Sequence, residues 1–91
     1  MKVELLAEYG PNLPRPYADT LKGSNLNNLK ELRAQTENNV FRVAFLFDEK
    51  RKAILLIGGD KKGKNEKRFY RDLIKQAEEI YQHYLDGKDE R

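Results

Sequence analysis

Residues 41–70 read FRVAFLFDEKRKAILLIGGDKKGKNEKRFY, and this run decides the fold. It opens with an alternating strand over 40–47, in which Phe41, Val43, Phe45 and Phe47 share one face and are expected to enter the core. Arg42 takes the other face with Val40, Ala44 and Leu46. A charged turn over 48–52 leads into a second strand at 53–57. That strand is apolar on both faces, so both should be covered. The basic loop over 58–64 then reaches Asn65, a plausible N-cap for a helix over 66–85. On this helix Phe69, Leu73, Ala77, Ile80 and Tyr84 line up with Tyr70, Ile74, Tyr81 and Leu85 as one broad apolar face.

Working outward, residues 29–35 alternate as a third strand, with Leu29, Glu31 and Arg33 on one face and Lys30, Leu32 and Ala34 on the other. Glu37, Asn38 and Asn39 form a turn between this strand and the next. Three successive strands with short connections predict an antiparallel meander. Residues 12–28 read as irregular because of their prolines and turn formers, pinned to the core by Leu13, Tyr17 and Leu21. Residues 1–9 read as a short helix stopped by Gly10 and Pro11. The predicted class is α+β: a small meander of about three strands with a short N-terminal and a long C-terminal amphipathic helix. Residues 1–85 make a single domain, and 86–91 make a disordered tail.

Composition narrows the chemistry. The 91 residues suit one small domain, with 38% hydrophobic and 36% charged residues. Residues 42–71 carry ten Lys or Arg against four Asp or Glu, whereas residues 72–91 carry three against six. A basic middle and an acidic tail within a net charge of +3 point to a polyanionic partner. The absence of cysteine excludes disulfides, thiolate metal sites and a Cys nucleophile. A single His makes a His-rich metal site untenable, so no metal and no cofactor is expected. No apolar run is long enough for a membrane span and no secretory pattern opens the chain, so a cytoplasmic protein is expected. The Gly58-Gly59 pair lacks the other residues of a phosphate-binding loop, which argues against nucleotide binding.

Several runs together resemble a known family: PNLPRPYADTLKGS (11–24), NLKELR (28–33), FRVAFLFD (41–48), AILLIGGDK (53–61) and KRFY (67–70). In this order and spacing they resemble the phage-derived HigB-like toxins of the RelE/ParE toxin–antitoxin superfamily. The resemblance covers residues 4–85. It implies a RelE/ParE-like fold, and a type II toxin that is a ribosome-dependent mRNA endonuclease (an mRNA interferase). It also implies neutralisation by a cognate helix-turn-helix, HigA-like antitoxin. By motif, the family's catalytic positions fall on Arg33, Arg42 and Lys61, with Tyr70 a weaker match. The family's N-terminal strand and helix have no counterpart here. An unpaired strand edge is therefore expected, which a homodimer could cover. The alternative is a non-catalytic or truncated relative that binds an antitoxin or a protein target such as gyrase.

Two arginines on neighbouring strands could hold a phosphate through bidentate contacts, provided the hairpin register pairs them. Lys61, crowded by arginines, is expected to have a lowered pKa and to serve as a base. Lys22, Lys30, Lys62, Lys64, Lys67 and Arg68 are the cations expected to contact RNA phosphates. Each residue also has a plainer reading. Arg33 and Arg42 would be solvated strand residues, and the lysines a solvated loop. Tyr70 sits in the helix's apolar arc, where core packing is favoured. His83 reads as structural, and Asp60 either caps its loop or orients Lys61.

Overall fold

The computed structural model describes residues 18–89. Four strands and one helix follow in order: β1 (Ala18–Thr20), β2 (Lys30–Gln35), β3 (Val40–Phe47), β4 (Ala53–Asp60) and α1 (Glu66–Asp89). The strands form one antiparallel sheet in the order β1-β2-β3-β4. The expected meander is therefore present, with one strand more than foreseen. β1 lies inside the segment read as irregular, and its three residues are too few to show alternation. The expected N-terminal helix, and the anchors Leu13 and Tyr17, lie outside the described residues.

Local chemistry sets each turn. Between β2 and β3, the Asn39 amide donates to the Thr36 hydroxyl (3.0 Å) and the Thr36 amide donates to the Asn39 carbonyl (2.9 Å). Between β3 and β4, one carboxylate oxygen of Asp48 accepts from the Lys50 and Lys52 amides, each at 2.8 Å. Such Asx contacts stand in for backbone hydrogen bonds and favour tight reversals. Asn65 caps α1 as expected: its side-chain oxygen accepts from the Arg68 amide at 3.0 Å.

The helix covers the sheet face that bears Ala44 and Leu46, opposite the face of Phe41, Val43, Phe45 and Phe47. Phe69, Leu73 and Ala77 pack with Leu21, Leu29, Ala44 and Leu46, all buried. The face bearing Phe41, Val43, Phe45 and Phe47 holds a second, smaller cluster of Ala18, Leu32 and Phe45. Phe45 is wholly buried there, whereas Phe41 is 38% exposed. Close approach explains the choice. Ala44 and Gly59 leave room for α1, and an ideal Cβ on Gly59 would lie only 3.2 Å from the Phe69 ring. Burying side chains such as Phe69 and Leu73 stabilises by roughly 1.5–3 kcal/mol each, so this seam holds the layers together.

Strand and helix ends also move. β4 continues past Ile57 to Asp60, because Gly58, Gly59 and Asp60 pair with Val43, Arg42 and Phe41. A register shift at Ala44/Phe45 leaves Leu56 as the extra residue on β4. It lets Ile54, Leu56 and Ile57 all pack against the helix-side cluster. α1 runs through Asp86 and Gly87 rather than stopping at Leu85. The Gln82 amide donates to Asp86 at 3.0 Å within this last stretch. Ile80 and Tyr84, in this distal part, are more than a third exposed. Among the described residues, no helix is long and apolar enough to cross a membrane.

Candidate functional site

The β2–β3 register places Arg33 directly opposite Arg42, and Arg42 opposite Gly59. This row crosses the sheet on the face that α1 covers. Gly59 carries no side chain, so the Phe69 ring settles over it and Tyr70, one residue on, reaches Arg42. The Arg42 Nε donates to the Tyr70 hydroxyl at 3.3 Å, and its Nη1 donates to the Phe41 carbonyl at 2.8 Å. Arg42 is nearly buried. Lys61 follows β4 and its amide donates to the Val40 carbonyl at 2.9 Å, which brings its side chain back to the same place. The Lys61 ammonium donates to Glu66 at 2.8 Å and to the Tyr70 hydroxyl at 3.4 Å.

The four residues singled out by motif thus converge, with the Tyr70 hydroxyl as the shared contact of Arg42 and Lys61. Tyr70 serves the core as well: its half-buried ring packs on the helix-side cluster and meets Phe69 edge-on at 5.4 Å.

Carboxylates balance these cations. Arg33 donates from Nε to Glu31 at 2.9 Å and from Nη2 to Asp19 at 3.2 Å. Glu31 is 3% exposed, and its second oxygen lies 4.0 Å from the Arg42 Nε without a hydrogen-bond partner. Glu31 first, and the nearby Asp19 to a smaller degree, hold the Arg33 guanidinium firmly protonated. Glu31 was not among the expected site residues. Its signal was a carboxylate two positions before Arg33, on the strand face shared with Leu29.

Lys61 corrects an expectation. Its pKa is raised, chiefly by the hydrogen bond to Glu66 and further by Tyr70; burial and Arg42 act the other way but do not prevail. Glu66 and Tyr70 thus hold Lys61 in its charged form, where crowding by arginines was expected to favour the neutral one. Asp60 caps: it accepts from the Asn39 side chain (2.6 Å) and from the Val40 and Lys62 amides (3.0 Å each). These bonds, led by that from Asn39, lower its pKa to about 2. His83 is exposed on the distal part of α1.

The remaining cations are divided by the helix. Lys64 and Arg68 line a hollow of about 550 Å³ between α1 and β4, with Lys64 5.8 Å from the Phe69 ring. Lys22 and Lys67 line a cleft of about 460 Å³ on the other flank, which Tyr70 also lines. Lys62 is exposed in the turn after β4. Lys30 pairs with Phe45, which puts it on the opposite sheet face from Arg33 and Arg42. The structure does not bring Lys30 to the site.

Comparison with known proteins gives the chain a family. Residues 1–82 match the family described as phage derived protein Gp49-like (DUF891). Two Mycobacterium tuberculosis proteins that carry toxin names are similar to the chain. One, named HigB3, is 42% identical over 83 residues, which cover 91% of this chain and 70% of the relative. The other, named HigB2, is 39% identical over 84 residues, which cover 91% of this chain and 41% of that protein. The chain therefore spans less than half the length of HigB2. No solved structure matches the chain. The chain belongs to the phage-derived Gp49-like family, to which it brings an α+β fold and a cationic sheet face.

Proposed function

We propose that this chain is the toxin of a type II toxin–antitoxin pair and that it cuts mRNA on the ribosome. The toxin names of its relatives support the first part. The observation that carries the second is the convergence of Arg33, Arg42, Lys61 and the Tyr70 hydroxyl on one sheet face.

RNA scission of this kind begins when a 2′-hydroxyl oxygen attacks the adjacent phosphorus. The bond to the 5′-oxygen breaks, the 2′-hydroxyl passes its proton to a solvent water, and the 5′-oxygen takes one from Lys61. Negative charge grows on the phosphate meanwhile, and fixed cations stabilise it. Arg33 and Arg42 hold the non-bridging oxygens. Lys61, kept protonated by Glu66, supplies positive charge and a proton at the leaving oxygen. RNA takes the place of Asp19 and Glu66 as the partner of Arg33 and Lys61. Lys62, Lys64, Lys67 and Arg68 draw in the strand. The ribosome supplies much of the substrate geometry, because the aromatic rings at the site are partly or wholly packed.

The protein acts in the cytoplasm. Its antitoxin is a helix-turn-helix, HigA-like protein that covers either the outer edge of β4 or the basic face. β4 is an edge strand among the described residues, and such an edge accepts a further strand from a partner or a second copy.

Primer extension on an mRNA in a reconstituted translation reaction tests the reading. Wild-type protein should create new 5′ ends at codon positions, and Lys61→Ala should not. A folded protein that leaves the mRNA intact would move the assignment to a binding-only relative.

A further inference from the structure

The cleft on the Lys22 flank of α1 carries two cations, Arg71 and Lys75, to which the nuclease reading gives no part. Lys67, Arg71 and Lys75 follow one another at intervals of four residues, so they stand on one side of α1 about 6 Å apart along its axis. Lys22 faces them from the β1–β2 loop. Tyr70 and Ile74 contribute the apolar part of the lining. Glu78 is the cleft's single acidic residue, and it is engaged: Ser24 Oγ and the Asn25 amide both donate to its Oε2 at 2.7 Å. Those two bonds tie the loop to the helix and so keep the cleft's walls together. Arg71 makes only a loose, exposed pair with the adjacent Asp72 at 3.6 Å. A cationic rim over an aromatic and aliphatic floor is the arrangement that holds a single nucleic-acid strand by backbone and base face. Tyr70 lines the cleft and also accepts from Arg42, so the cleft and the candidate site share this residue.

We infer that this cleft is a second RNA subsite, in which Lys22, Lys67, Arg71 and Lys75 hold the backbone of the mRNA strand next to the phosphate being cut. The inference rests on the nuclease reading. Arg71 and Lys75 are binding residues under it, beyond the cations that the motifs indicate.

The test is binding of a fluorescent 12-nucleotide single-stranded RNA across a salt series, beside mRNA cleavage in reconstituted translation. The double variant Arg71→Gln/Lys75→Gln changes two exposed helix residues to a good helix former, so the fold should survive. Each lost phosphate contact lowers the slope of log K against log salt by about 0.7, so a drop of about 1.4 is expected. Cleavage should weaken at unchanged codon positions. The charge-matched control Lys50→Gln/Lys52→Gln, in the β3–β4 turn, should leave the slope nearly unchanged. An equal drop in both variants would reduce the effect to net charge and overturn the subsite. Unchanged RNA binding with weakened attachment to ribosomes would give the cleft to ribosomal RNA and also overturn it. Full cleavage by the double variant with unaltered binding would sink the subsite and leave the nuclease standing. A wild-type protein that neither binds the RNA nor cuts would remove both.

Discussion

Arg33 and Arg42 face each other across the β2–β3 ladder, and the buried carboxylate of Glu31 is within 4.0 Å of both. Like charges directly opposite one another destabilise a sheet, so this pair persists because a carboxylate offsets it. The same carboxylate leaves one oxygen without a hydrogen bond. An arrangement of this kind holds two guanidiniums side by side and depends on one residue to do so.

Glu31 and Arg33 should therefore couple. Arg33→Ala strands a buried carboxylate, and Glu31→Gln leaves the arginines without their counter-charge. Each single change should destabilise by about 1–3 kcal/mol, the usual consequence of breaking a hydrogen bond to a buried charged group. The double variant Glu31→Gln/Arg33→Ala should lose clearly less than the sum. Urea unfolding of the four proteins measures the cycle, and strict additivity would mean that the pair is not coupled. In primer extension, Glu31→Gln should cut poorly although Glu31 itself is too buried to touch RNA.

Lys61 should stay protonated through the ordinary lysine range, because Glu66 and then Tyr70 raise its pKa. A raised pKa in the folded state means that the pairing contributes fully below the unfolded value of about 10.4 and fades as pH rises through the folded one. Glu66→Gln removes the leading cause, so the Lys61 titration followed by NMR should move down. A Lys61 signal that titrates below the ordinary range in the wild type would restore the base reading and overturn the donor role.

Asp60 should govern part of the acid limb. Its pKa of about 2 lies below that of an unfolded aspartate, near 3.9. Stability from its bonds is present above the unfolded value and is lost as pH falls through the folded one, over the window from about 4 to about 2. Asp60→Asn should flatten the acid unfolding curve across that window while leaving the curve above pH 5 parallel to wild type. An unaltered acid limb would show that these bonds carry no net stability.

Legibility followed the strength of the pattern. The strand over 40–47 matched its limits because its eight residues are apolar at every position but Arg42 and are rich in aromatic and β-branched side chains. The turn at Thr36–Asn39 then set the register that faces Arg33 to Arg42. β1 escaped because three residues carry no period. The end of β4 escaped because Gly58-Gly59 reads as a hinge when pairing partners are unknown. Alternation alone does not say which face of the sheet the helix covers. Phe41, Val43, Phe45 and Phe47 are larger, but a helix docks where Ala44 and Gly59 are small. Within the site, Arg33, Arg42, Lys61 and Tyr70 were named by motif. Glu31 and the direction of the Lys61 shift depended on contacts across strands, which sequence spacing does not display.

Gly59 should be as sensitive as any catalytic position, through geometry alone. Its backbone needs no left-handed angle, since the positive-φ glycines among the described residues are Gly23 and Gly63. What it supplies is room: a Cβ would sit 3.2 Å from the Phe69 ring, closer than most such contacts. In Gly59→Ala the ring must shift by a few tenths of an ångström, and Tyr70 next to it shifts too. Overpacking of this kind costs about 1–3 kcal/mol. Loss of the aligned hydroxyl should lower cleavage about as much as Tyr70→Phe does, in the range of about tenfold to a hundredfold. Tyr70→Phe, by contrast, should keep the unfolding midpoint close to wild type, because only an oxygen is removed from a half-exposed ring. Equal cleavage by Gly59→Ala and wild type, with stability reduced, would show that the ring seam and the site are independent.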